Sequence, residues 1–259
     1  MYLNCHSYYS LRYGTIPVEG LVEEGIRCKA DYLALTDINC TTGVFDFARE
    51  CRKAGIKPIV GVEFRKADRL LFVGLAKNLA GFRELNELLT RTNLGEMPMP
   101  LQSPAFREVF VIYPSNNIPD ILQQHEYIGI RPAEVKRYKN PLFKKIDKLI
   151  CLQTVSYRNK HEFELHHLLR CTDHNILLSQ LRSHQMAGNN EVMIPKDTIR
   201  NYFDNYPEII KNTERLADQC DFPFDFSAPK NKRCFTGSHY EDRMLLETLA
   251  LEGFKDRYS

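Results

Sequence analysis

Short apolar runs alternate with segments of helical period along most of the chain. "MYLNC" begins as a strand at residues 2–5, and in "IPVEGLVEEGIRCKA" Val18, Leu21, Val22 and Ile26 recur at the spacing of one helix face. "DYLALTD" has the composition of a strand buried on both sides. "GVFDFARECRKAG" is an amphipathic helix with Val44, Phe45, Phe47, Ala48 and Cys51 inward, and Gly55 is placed to stop it. "KPIVGVEF" and "RLLFVGLA" are strands, and "NLAGFRELNELLTRTN" returns to helix through Phe82, Leu85, Leu88 and Leu89. "REVFVIYP", "EYIGI" and "KLICLQ" complete the strands before helical segments containing "EFELHHLLRC" and "NILLSQL".

This order predicts a parallel α/β sheet with right-handed crossovers. At least six strands fit either a barrel or an open doubly wound sheet, and both place chemistry at the C-terminal strand ends. Those ends carry His6, Asp37, Glu63, Tyr113 and the segment 154–157. Beyond about residue 190 the pattern changes to two helices, the second opening near Pro207. A polar connector follows, then a last helix with Met244, Leu245, Leu249 and Phe254 on its apolar side. That apolar side is expected to be exposed, as in a chain cut from a longer protein.

An apolar share of 43% is that of a globular protein, and a formal charge of +2 gives no chain-wide basic field for nucleic acid. No apolar run reaches the roughly 20 residues of a membrane span, and the N-terminus has no signal-peptide pattern, so a cytoplasmic location is expected. Eight cysteines without a C-x-x-C read as reduced and mostly buried.

Residues i and i+2 of a strand share a face, so histidines at positions 4 and 6 would aim two imidazoles at one point. Asn4 breaks that pair, and His6 alone reads as a hydrogen-bonded histidine at a strand end. "HEFELH" imitates H-E-x-x-H with one residue too many, which turns His161 and His166 about 140° apart, with Glu162 between them. His167, Cys171 and His174 have the spacing of one helix face, but Thr172-Asp173 reads as a new helix start that would break it. The basic run at residues 136–148, "VKRYKNPLFKKIDK", reads as a solvated face rather than a phosphate contact. No phosphate-cradling glycine loop occurs.

"LNCHSYYSLRYG", "YLALTDINCTTGVFDFARECRKAGIKPIVGVEF" and "LLFVGLAKNLAGFRELNELL" resemble the PHP (polymerase and histidinol phosphatase) domain, in the form found at the N-terminus of bacterial DNA polymerase III alpha subunits. The later stretches "NYPEIIKNTERLADQCDFPFDF" and "YEDRMLLETLALEGFKDRYS" resemble the segment leading from that domain into the polymerase region. The resemblance implies a distorted (β/α)7 TIM-like barrel. It assigns residues 1–225 to the barrel with its C-terminal helices, and residues 226–259 to a connector and first helix toward a polymerase region beyond Ser259. It also implies a strand-end cluster of up to three metals, able to hydrolyse phosphoesters in intact members.

Against that pattern, H-x-H is Asn4-Cys5-His6, the ligand before the glycine is Tyr13, T-D-H is Thr36-Asp37-Ile38, and the late D-x-H is Thr154-Val155-Ser156. Glu63 is retained. His6, Asp37 and Glu63 are the surviving candidate ligands, too few for a cluster, so no cofactor is expected beyond at most one weakly held zinc or manganese. Asn4 is expected to hydrogen-bond within the old pocket, with Tyr13 and Ile38 filling its volume. By resemblance the expected role is a catalytically inactive scaffold of a DNA polymerase whose magnesium site lies outside the chain; the alternative is a residual metal-dependent phosphoesterase or 3′–5′ exonuclease. The expected partners are the remainder of the polymerase chain, a proofreading exonuclease subunit, and DNA through the full-length protein, with no membrane.

Overall fold

The computed structural model describes residues 1–137, 143–228 and 234–258. They form two units, Met1–Pro223 and Phe224–Ser259. In the first, the chain order is β1 (Tyr2–Cys5), α1 (Val18–Arg27), β2 (Tyr32–Leu35), α2 (Val44–Lys53), β3 (Lys57–Lys66), β4 (Arg69–Ala76), α3 (Leu79–Asn93), β5 (Val109–Pro114), β6 (Glu126–Ile130), β7 (Leu149–Cys151), β8 (Thr154–Val155), α4 (Lys160–His174), α5 (Lys196–Tyr202) and α6 (Pro207–Asp218). All residues of β1 and β2 are buried, as the apolar run of β2 requires, and in β1 the polar Asn4 is buried with them.

One sheet runs in the order β7-β6-β5-β4-β3-β2-β1-β8. Its two edge strands, β7 and β8, are separated only by Leu152 and Gln153. They are therefore one bent stave, parallel to β6 on one side and to β1 on the other. The eight strands amount to seven staves curled into a barrel. The side-chain amide of Gln153 holds the bend by donating to the carbonyls of Thr154, Asn190 and Val192.

The sheet is not wholly parallel. β4 runs antiparallel to both β3 and β5. The cause is in the chain: Ala67 and Asp68 alone join β3 to β4, and a parallel crossover needs a dozen residues or more. Ala67 takes a positive φ of 51° to make that turn.

Most predicted faces match the burial, with instructive exceptions. Val18, Leu21 and Val22 of α1 are buried but Ile26 is 57% exposed, because the adjoining inward position is taken by Gly25 against Leu33 and Ile56. Phe45 of α2 is half-exposed and packs on Phe82 and Phe222 instead of entering the core. Gly55 closes α2 with φ of +69°, a conformation glycine adopts without strain. "NILLSQL" makes only a 3-10 turn at Leu178–Gln180.

α4 continues through Thr172 and Asp173 to His174, contrary to the expected break. Asp173 accepts from Arg12 outside the helix and from Arg170 one turn earlier on α4, so its side chain does not cap a new helix. In the second unit α7 (His239–Tyr258) has no buried residue, and Leu245, Leu249 and Phe254 are exposed. Among the described residues no helix is long and apolar enough to cross a membrane.

Candidate functional site

The barrel brings together the C-terminal ends of β1, β2, β8 and the middle of β3. β1 pairs with β2 through Cys5 and Leu35 and with β8 through Asn4 and Thr154, and a lone bridge joins Ile38 to Glu63. His6, Asp37 and Glu63 thereby enter one buried region, each 1% exposed or less. Tyr113 does not join them. Its hydroxyl lies in a separate network with Ser103 and Glu126.

Asn4 sits at the centre of the pocket. Its Nδ2 donates to Glu63 Oε2 at 2.7 Å and to Thr154 Oγ1 at 3.1 Å, and its Oδ1 accepts from Thr36 Oγ1 at 2.7 Å. Asp37 accepts three bonds: Oδ1 from the Ser7 amide and Ser10 Oγ, Oδ2 from Ser7 Oγ, all at 2.7 Å. Burial raises the Asp37 pKa, and the three serine bonds offset only part of that rise. The tight loop supplying those serines returns on Gly14, where a Cβ would meet the Ser7 carbonyl oxygen at 1.9 Å.

Glu63 is engaged at both oxygens. Arg65 Nε donates to Oε1, while Oε2 receives Asn4 and lies 3.1 Å from His6 Nε2. Burial alone would push this carboxyl up, but the Arg65 charge, His6 and Asn4 together hold it well below the usual carboxylate range. Burial likewise disfavours the Arg65 charge, and Glu63 more than reverses that. The Arg65 guanidinium also donates from Nη2 to Tyr13 Oη at 3.2 Å and lies 4.3 Å from the Tyr13 ring centroid. Arg170 approaches the same ring at 5.3 Å. Tyr13 packs with Tyr157 and Ala187, and Ile38 lies against that group, so hydrocarbon and phenol fill this side of the mouth.

The other side of His6 forms a relay. Ser156 Oγ donates to Glu191 Oε2 at 2.8 Å, so it accepts from His6 Nδ1 at 3.0 Å. Glu63, His6 and Ser156 thus follow the order of a hydrolytic triad, yet Ser156 is 0% exposed and its proton is directed at Glu191. Of the ring nitrogens and carboxylate oxygens of His6, Asp37 and Glu63, only His6 Nε2 lacks an aligned hydrogen-bond partner; its contact with Glu63 is close but off-line.

The secondary candidates separate. His161 is exposed and His166 is buried, as their angular offset requires. His167, Cys171 and His174 do share one helix, but His174 Nε2 contacts Arg170 and Asp68 while His167 packs on Phe163. Among the described residues only Cys234, His239 and Asp242 bring three ligand-type atoms within 4.8 Å of one another. There Asp242 already caps the turn, accepting from the amides of Phe235 and Thr236 and from Thr236 Oγ1. The basic run at 136–148 lies in part outside the described residues; Lys148 is turned to the carbonyls of Gln123 and Gln124.

His166 has a structural role that its sequence position did not reveal. Its Nε2 accepts from the Ala187 amide at 2.8 Å, so the remaining proton is on Nδ1, which donates to the Tyr13 carbonyl at 2.6 Å. Burial lowers its pKa from 6.5 to about 4. Between these values the unfolded chain holds a proton that the folded chain excludes. Stability is therefore expected to fall as pH drops from about 6.5 toward 4, by a total on the order of 3 kcal/mol. Urea midpoints across that range should fall less steeply for His166→Gln than for wild type; equal slopes would contradict the assignment.

A curled α/β barrel with its polar residues gathered at the strand ends defines the class of protein. The PHP domain model matches residues 3–166, and the chain belongs to that family. It is similar to the DNA polymerase III subunit alpha of Halalkalibacterium halodurans, with 22% identity over 100% of this chain and 26% of that protein. The corresponding subunit of Borreliella burgdorferi is 24% identical over 100% of this chain and 27% of its own length. An error-prone DNA polymerase of Symbiobacterium thermophilum is 22% identical over 100% of this chain and 28% of its own length. The chain thus spans about a quarter of the length of the curated relatives it matches.

Sequence reasoning missed Arg65 and Glu191. Arg65 left a signal, since it lies two residues after Glu63 on the same strand and hence on the same face. Glu191 comes from an aperiodic loop and left none.

Proposed function

We propose that this chain is the PHP-type N-terminal domain of a DNA polymerase III alpha-like protein and that it acts as a metal-free scaffold for the polymerase region, not as a phosphoesterase. The observation that carries the reading is that every carboxylate oxygen of Asp37 and Glu63 already accepts from a protein donor. A two- or three-metal cluster needs several anionic or imidazole ligands with free lone pairs. Among these groups only His6 Nε2 has no aligned protein partner, and Arg65 brings a positive charge to the carboxylate beside it. These residues do not fit a metal cluster, so the pocket has no means of metal-assisted hydrolysis.

The parent activity, extension of DNA with magnesium at a site outside this chain, is part of the same proposal. So are a cytoplasmic location and docking of a proofreading exonuclease. The test is metal analysis of the purified protein by mass spectrometry, with nuclease assays in added manganese and zinc. Well under one ion per chain and no nucleolysis are expected. Stoichiometric metal, together with activity abolished by His6→Ala, would establish the phosphoesterase or exonuclease reading instead.

A further inference from the structure

Glu63 is 0% exposed and both of its oxygens are engaged, so its negative charge must be balanced inside the barrel mouth. The balancing group is Arg65. Its side chain is 11% exposed, its Nε donates to Glu63 Oε1, and its plane rests against Tyr13. A guanidinium keeps its proton at every working pH, and its planar fork loses little entropy when fixed. The second observation lies across the same carboxylate: His6 Nε2 is buried, unaligned, and 3.1 Å from Glu63 Oε2. A ring nitrogen in that position beside a carboxylate has the makings of a borderline-metal site, from which the neighbouring Arg65 charge excludes a cation.

We infer that Arg65 is the resident cation of this pocket, occupying the place and supplying the charge that a single divalent ion would otherwise supply, and that its removal opens a one-ion site on His6 and Glu63. The inference rests on the metal-free reading of the pocket. Shortening Arg65 to alanine frees Glu63 Oε1 and removes the competing charge, so that one ion can bridge the carboxylate and His6 Nε2, which faces its other oxygen, with water completing the shell. The ligand class is a borderline transition cation, zinc or manganese. Lysine at the same position retains the charge and should retain the exclusion.

The test compares the 259-residue chain as wild type, Arg65→Ala, Arg65→Lys and the double variant Arg65→Ala/His6→Ala. Each is titrated with zinc chloride or manganese chloride, reading bound metal by mass spectrometry and the thermal midpoint. Only Arg65→Ala is expected to take up about one ion per chain, with a midpoint that climbs as metal is raised. Wild type and Arg65→Lys should be indifferent, and the double variant should lose the response. If Arg65→Ala is unfolded without metal, refolding with zinc should restore its helical signal, and the same addition should fail for the double variant. Absence of uptake and of rescue in Arg65→Ala, with wild type metal-free, would overturn the inference alone. Stoichiometric metal on wild type, lost in His6→Ala, would overturn the scaffold reading.

Discussion

Glu63→Gln is expected to destabilise the chain by about 3–5 kcal/mol, the range for removing one partner of a buried ion pair. The amide leaves the Arg65 guanidinium without a counter-charge, and its NH2 must face either Asn4 or Arg65, each of which already donates there. Urea denaturation at neutral pH reads the loss directly. The double variant Glu63→Gln/Arg65→Met should be less damaged than the sum of its two parts, because removing both charges leaves no buried ion unpaired. A single-variant loss below about 1 kcal/mol would mean that water reaches the pair and that the pocket is open to solvent.

The second large effect is expected at Phe64→Ala, again about 3–5 kcal/mol. Phe64 is fully buried and directly opposite Phe72 in the β3–β4 register, with ring centroids 4.8 Å apart. Phe72 in turn meets Tyr113, so the truncation leaves a cavity flanked by aromatic rings that have no room to collapse into it. Leu249→Ala on the exposed last helix should change stability by less than about 0.5 kcal/mol in the same assay. If the two substitutions proved equivalent, the antiparallel pairing of β3 and β4 would be wrong.

How far the sequence was legible depended on whether a residue's role was local. Strands and helices were readable because their burial follows a period, and strand-end placement brought out His6 and Asp37, whereas Glu63 lies inside the longer β3 and Tyr113, chosen by the same rule, faces another network. The reversal of β4 was also written in the chain, in the two-residue link between two apolar runs, but the alternating pattern suggested a parallel sheet. The bent last stave was hidden, since "KLICLQ" reads as one strand and the bend depends on Gln153 meeting carbonyls almost forty residues later. The continuity of α4 was hidden for the same reason: Asp173 favours a cap in isolation, and a guanidinium from residue 12 overrides it. Asn4 looked like a loss, a neutral amide where an imidazole would complete a pair. In the folded chain it is a three-way connector, and no local pattern announces that.

The bent stave also sets an order of events during synthesis. β1 emerges first and finds β2 within about 30 residues, but its other edge pairs only with β8, some 150 residues later. At roughly 5–20 residues per second a ribosome needs on the order of 8–30 s to deliver that partner. For that interval β1 presents an open hydrogen-bonding edge, and closure of the ring is the step that retires it.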